Sequence, residues 1–149
     1  MRHLNVNGIA LPLCLAIVLV SAGCRGERET GTTGTAGTSG TALKVTDVTL
    51  GRAIGADKAV TDSTDNFRPN DTIYASVATE GSAASTSLRA LWTYQDGRVV
   101  NDSSHTIAPN NRERTEFHIA KPDGLPTGNY QVEIFVDGRS AEKKSFEVK

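Results

Sequence analysis

Along the last two thirds of this chain, apolar residues recur at every second position, the period of a β-strand whose side chains point alternately to opposite faces. The pattern is clearest in Tyr130–Val136, where Tyr130, Val132, Ile134 and Val136 share one face and Gln131, Glu133 and Phe135 take the other. Asp137-Gly138 follows, a pair that tolerates positive φ and favours a tight hairpin, and the chain returns through Lys144, Phe146 and Val148. Upstream, Ile73, Ala75 and Val77 make one strand face, and Leu88, Ala90, Trp92 and Tyr94 another, ended by Asp96-Gly97 and a return through Val99. Thr115, Phe117 and Ile119 alternate with Glu116 and His118; Val45 to Leu50 reads as a first strand, and Ile107 as part of a short one. After residue 42 no stretch carries a 3.6-residue apolar period. The pattern predicts an all-β domain over 43–149, a single antiparallel β-sandwich of about seven strands with almost no helix.

Trp92 lies in the middle of the third main strand, and Gly128-Asn129-Tyr130 opens the penultimate one. With Asn70-Asp71-Thr72-Ile73-Tyr74 before the second strand and Leu125-Pro126-Thr127 before Gly128, the domain resembles the immunoglobulin-like or fibronectin-type-III-like modules of bacterial surface lipoproteins. The resemblance implies structural roles for two residues. Trp92 would be the buried tryptophan of the core, and Tyr130 a tyrosine corner whose hydroxyl bonds backbone upstream, near Asp123 to Leu125. Val132 takes the place where antibody domains have a cysteine, and Ala75 or Val77 should face it across the core.

The amino-terminal pattern is different. Met1, Arg2 and His3 precede an apolar run from Ile9 to Val20, 12 residues, which as a helix spans only ~18 Å. A bilayer core of ~30 Å needs ~20 such residues, so the run does not read as a permanent span. Ser21-Ala22-Gly23-Cys24 resembles the lipobox of bacterial lipoproteins, with Ser21 where leucine is usual. The resemblance implies a signal peptide over 1–23, cleavage before Cys24, and diacylglycerol joined to the Cys24 thiol with acylation of the new amino terminus. Two or more acyl chains anchor stably where one does not. Cys14 would leave with the signal, so the mature chain could form no internal disulfide. Arg25, where an aspartate would favour retention at the inner membrane, leans toward the outer membrane facing the periplasm, or the cell surface.

From Arg25 to about Thr41 the chain reads RGERETGTTGTAGTSGT, with no apolar period to repay ordering the backbone. The segment 24–42 is therefore read as the lipidated terminus and a flexible spacer, spanning ~23 Å root-mean-square. All eight aromatic residues fall after it. Removing Arg2 with the signal leaves 15 basic against 17 acidic residues, a formal charge of −2. That balance offers no basic stripe, so neither nucleic acid nor an anionic lipid surface is expected as a partner. The membrane would be met through the N-terminal lipid alone.

Catalytic chemistry is sparse. His105 and His118 are the only histidines beyond the apolar run, and neither belongs to a metal-spacing motif or a nucleophile elbow. Asp57, Asp62, Asp65 and Asp71 crowd the segment 55–71, whose oxygen ligands could hold Ca²⁺ but lack EF-hand alternation; a solvated loop is the plainer reading. Phe67 in that segment is expected to plug one end of the sandwich. Phe135 and Tyr74, read as outward-facing, could mark a contact patch if contiguous, unless the Ala56–Phe67 loop covers Phe135. No catalytic residue, metal or cofactor is assigned. The leading expectation is a membrane-anchored cell-envelope lipoprotein acting as a non-enzymatic interaction or structural module, with an envelope protein as partner. A glycan- or peptidoglycan-binding module, with aromatics lining a shallow groove, ranks second. A hydrolase-like enzyme, with His105 or His118 beside Ser and Asp in a cleft, ranks third.

Overall fold

The computed structural model describes residues 42–149. The signal peptide, Cys24 and the spacer up to Thr41 lie outside the described residues. Eight strands occur in order: β1 Lys44–Gly51, β2 Asn66–Phe67, β3 Ile73–Ser82, β4 Thr86–Tyr94, β5 Val99–Ile107, β6 Asn110–Ile119, β7 Gly128–Val136 and β8 Arg139–Val148. They form a three-stranded sheet, β1-β3-β6, and a five-stranded sheet, β2-β8-β7-β4-β5. Every pairing is antiparallel except the short parallel contact of β2 with β8. The described residues contain no helix. This is an immunoglobulin-like sandwich, with the strand that carries the core tryptophan and the strand that carries the corner tyrosine paired side by side.

Alternation produces the two faces. On β3, Ile73, Ala75 and Val77 point inward; on β4, Leu88, Ala90 and Trp92; on β7, Tyr130, Val132 and Ile134. Phe117 and Ile119 of β6 and Phe146 and Val148 of β8 complete a single core between the sheets. Burial on one face also fixes register, because a one-residue slip would turn every one of these side chains to water. A bulge between Val45 and Asp47 resets β1 so that Val48 and Leu50, rather than their neighbours, meet the core.

The all-β sandwich of about seven strands is present with eight, the short Asn66-Phe67 strand lying inside a segment read as irregular loop. The structure departs from the sequence expectation elsewhere. Val99 and Ile107 belong to one continuous nine-residue strand, not two. Its sequence VVNDSSHTI hides this, since an edge strand with one exposed side needs no apolar period. Phe135 and Tyr74 form no common patch: they sit on the outer faces of opposite sheets. Nor does the Ala56–Phe67 loop cover Phe135. That loop folds over the three-stranded sheet, where the Ser76 hydroxyl donates to the Lys58 carbonyl oxygen at 2.6 Å, while Phe135 lies beneath the Arg89 guanidinium, 5.2 Å from its ring centre.

The two ends of the sandwich are unlike. Lys44 enters beside Glu80, at the end that carries the β3–β4, β5–β6 and β7–β8 turns. There Asp137 and Gly138 both have positive φ, and Asp137 exchanges hydrogen bonds with Ser87, its carboxylate accepting from the Ser87 N–H at 2.9 Å. The opposite end carries the long 52–72 connection, the 95–98 turn and the 120–127 loop. Phe67 closes it: the ring is buried and meets Phe146 edge-on at 5.5 Å.

Candidate functional site

Trp92 is wholly buried, its indole edge-on to Phe146 at 5.8 Å. Its Nε1–H has no hydrogen-bond partner among the described residues. The Tyr130 ring stacks on Phe146 at 5.2 Å, and its hydroxyl donates to the Pro126 carbonyl oxygen at 2.7 Å, one residue beyond the Asp123–Leu125 window read from sequence. Burial pushes the Tyr130 phenol above its ordinary pKa. Gly128 makes room for this corner. Its φ is +140°, and a Cβ there would lie 2.7 Å from the Tyr94 hydroxyl oxygen. Val132 and both Ala75 and Val77 are buried in the same core, on opposite sheets.

The two histidines border one groove although they belong to different sheets, and they face differently: His118 lies beside Tyr74 on the outer face, 5.7 Å between ring centres. β5 and β6 are edge strands on the same side of the sandwich, and between them runs a shallow groove bordered by Asn101, Ser103, His105, Glu116, Phe117 and His118. The His105 ring lies 5.0 Å from Phe117, and His118 Nδ1 shares a 2.6 Å hydrogen bond with Glu116 Oε1. A histidine oriented by a carboxylate is two thirds of a hydrolytic triad. The third part is not in place: among the described residues no serine or threonine hydroxyl hydrogen-bonds either ring. Nor do the described histidines and carboxylates form a cluster able to hold a metal.

The Asp-rich segment is organised by a basic residue that composition did not single out. Arg52 Nε donates to Asp71 Oδ2 at 3.0 Å, one Nη donates to the Asn66 carbonyl oxygen at 2.6 Å, and the other lies 3.6 Å from Asp62. Its guanidinium also stands over the Phe67 ring, 5.8 Å from the centre. Asp57 accepts from the Ala59 N–H instead, and Asp65 uses its backbone oxygen to receive the Glu147 N–H. Asp62 and Asp71 therefore share Arg52 while Asp57 serves a backbone N–H, and the segment is tied down by Arg52, Phe67 and the β2–β8 contact.

Several carboxyls are held below their ordinary pKa. For Asp71 the first cause is the Arg68 N–H, followed by the Arg52 guanidinium; for Asp102 it is the Arg89 side chain; for Asp96 the Arg98 N–H; for Glu133 a hydrogen bond from Ser140 and then Lys143. A carboxyl depressed in the folded state contributes stability that is complete above its unfolded value, about 3.9–4.3, and is lost as pH falls through the lower folded value. Thermal melts are expected to show a falling Tm below about pH 4. Asp71→Asn should flatten part of that decline, and an unchanged profile in the variant would contradict the assignment.

The outer face of the five-stranded sheet carries the most ordered polar array. Arg89 on β4 makes a bidentate pair with Asp102 on β5, both bonds 2.7 Å, and covers Phe135 of β7. Glu133 of β7 pairs with Lys143 of β8 at 3.3 Å. Between these pairs and the 95–98 turn lies an uncharged stretch. Thr93, Gln131 and Ser145 stand directly opposite one another across β4, β7 and β8. Gln95 and Asn129 lie beyond them, joined where the Asn129 N–H donates to Gln95 Oε1 at 3.2 Å. These residues and Tyr94 line an open groove of about 510 Å³. A larger recess, about 730 Å³, opens at the end where the chain enters, beside Lys44, Thr86 and Asp137.

Sequence reading missed Arg52, Arg89 and the Gln131 row, because each acquires meaning only through a partner on another strand. The outward alternation of Gln131 and Glu133 was their one local signal.

No protein-family model and no curated protein matches this chain in sequence. Solved structures resemble it in fold. An immunoglobulin-like protein from Pseudomonas aeruginosa aligns at 12% identity over 72% of this chain and 97% of its own, with a TM-score of 0.49. The C-terminal domain of Wzt aligns at 12% identity over 72% of this chain and 73% of its own, TM-score 0.49. A cycloisomaltooligosaccharide glucanotransferase from Paenibacillus aligns at 14% identity over 71% of this chain but only 14% of its own, TM-score 0.46. At these identities and scores the likenesses carry neither activity nor ligand to this chain.

Proposed function

We propose that this protein is a lipid-anchored module of the bacterial cell envelope that acts through contacts rather than catalysis. The observation that carries the reading is the order of parts: an apolar run closed by Ser21-Ala22-Gly23-Cys24, a Gly/Thr-rich spacer, then an immunoglobulin-like sandwich. Cys24 would carry diacylglycerol, and Arg25 directs the reading to the outer membrane, with the domain facing the periplasm or the cell surface. The sandwich supports this because the chain enters at the end of the β3–β4 and β7–β8 turns. Attachment there leaves the opposite end, with the 95–98 turn and the 120–127 loop, free to meet an envelope partner. Among the described residues no serine or threonine hydroxyl bonds the ring of His105 or His118, which supports contact over catalysis.

The test is detergent-phase partitioning of the expressed protein beside Cys24→Ala. Wild type is expected in the detergent phase with acyl label incorporated, and the variant in the aqueous phase without it. Equal partitioning of the two would overturn the reading.

A further inference from the structure

The row Thr93–Gln131–Ser145 differs from the rest of its sheet face in holding polar side chains without charge. Just toward the chain-entry end, Arg89 is matched to Asp102 and Glu133 to Lys143. At the other border Glu147 is matched to Lys149 at 3.2 Å, and Arg98 to Asp96 at 2.6 Å. Every formal charge named around the groove is thus already paired, and what remains for a ligand is hydroxyl and amide. Among the described residues the side chains of Thr93, Asn129, Gln131 and Ser145 have no hydrogen-bond partner in the protein.

The supporting layer is fixed. The Tyr94 hydroxyl donates to the Thr127 carbonyl oxygen at 2.8 Å and accepts from Gln95 Nε2 at 3.2 Å. Gln95 Oε1 is taken by the Asn129 N–H, so this amide is oriented and keeps one N–H to offer. The Tyr94 ring is held edge-on against Tyr130 at 4.9 Å with the Arg98 guanidinium 5.4 Å from its centre, and so fixes the floor from the core side. Gly97, at φ +82° with open space around its Cβ position, leaves the rim of the groove low. Strands lie ~4.8 Å apart, so the three residues of the row place polar groups over roughly 10 Å. Amide side chains present a donor and an acceptor together, the pairing that adjacent sugar hydroxyls answer, each being donor and acceptor in turn.

We infer that this groove is a binding site for a short, uncharged saccharide, with Gln131 and Asn129 as the principal hydrogen-bonding residues and Thr93, Gln95 and Ser145 beside them. The groove lining carries no formal charge to hold an ionic ligand, and an extended peptide would find no free strand edge, since β4, β7 and β8 are paired with one another here. The site is open, so affinity is weak and in the millimolar range, about 4 kcal/mol by the standard conversion. The inference does not depend on lipidation: the partitioning of Cys24→Ala and the binding of sugar can each fail alone.

The experiment is calorimetric or NMR titration of the full chain, in a zwitterionic detergent without sugar headgroups, with cellotriose, maltotriose and the trimer of N-acetylglucosamine. At least one is expected to bind, with shifts at Thr93, Gln131 and Ser145. Gln131→Ala should weaken binding about tenfold, while Ser87→Ala, on the same sheet at the far end, should leave it unchanged. The inference is overturned by no binding of any of the three at the limit of solubility, or by binding that Gln131→Ala leaves intact. Shifts at the His105 groove instead, or binding of a muropeptide stem peptide without its sugar, would overturn it equally.

Discussion

Trp92→Ala is expected to destabilise the domain by about 3–5 kcal/mol, the range for removing a buried aromatic side chain. The indole is at 0% exposure and fills the space between Phe146 and the facing sheet. Domains of this size have only ~5–15 kcal/mol in hand, so the variant should sit near the edge of folding. Trp92→Phe separates packing from hydrogen bonding. The Nε1–H is buried without a partner among the described residues, and leaving a buried donor unmet costs ~1–3 kcal/mol. Phenylalanine removes that donor while keeping most of the ring, so its loss should be below about 2 kcal/mol. Denaturant unfolding of both variants checks this. A Trp92→Ala loss under about 1 kcal/mol would contradict a core position.

Phe67→Ala should cost a comparable ~3–5 kcal/mol, with a second consequence. Phe67 lies on the two-residue strand β2, whose backbone meets β8 through the Glu147 and Lys149 N–H groups, and its ring also supports Arg52. Without the ring, the end of the core between Phe146 and Val148 opens, and the Arg52 contacts to Asp71 and Asn66 lose their floor. Limited trypsin digestion should therefore cut the variant at Arg52 or Lys58 well before wild type. A variant as resistant as wild type, or a stability loss under about 1 kcal/mol, would mean Phe67 does not close the sandwich.

The parts of the fold legible in sequence were those with one face in the core and one in water. β3, β4, β6 and β7 each show alternation because inward positions such as Ala75, Ala90 and Val132 are apolar and outward ones need not be. Legibility fails where that condition fails. β5 is an edge strand beside a groove, so Ser103 and His105 stand where Val or Leu would signal a core. β2 is too short to carry a period, and only Phe67 hints at it. The 52–62 lobe covers Ser76 through a carbonyl oxygen, a backbone contact that side-chain patterning does not reveal. The same limit applies to the candidate sites. Thr93, Gln131 and Ser145 lie far apart in the chain and become neighbours only through the registers of β4, β7 and β8. His105 and His118 border one groove only because β5 and β6 are edge strands of the two sheets. A tyrosine corner, by contrast, is a local device: Tyr130 bonds a carbonyl four residues upstream, within reach of sequence reasoning.

The central claim is that this sandwich is held at a membrane by Cys24. The most direct measurement is the mass of the N-terminal peptide of the protein extracted from membranes. The account predicts a peptide beginning at Cys24 that carries thioether-linked diacylglycerol and an acylated α-amine. An unmodified peptide spanning Gly23 and Cys24, or a mature chain beginning elsewhere without lipid, would contradict it.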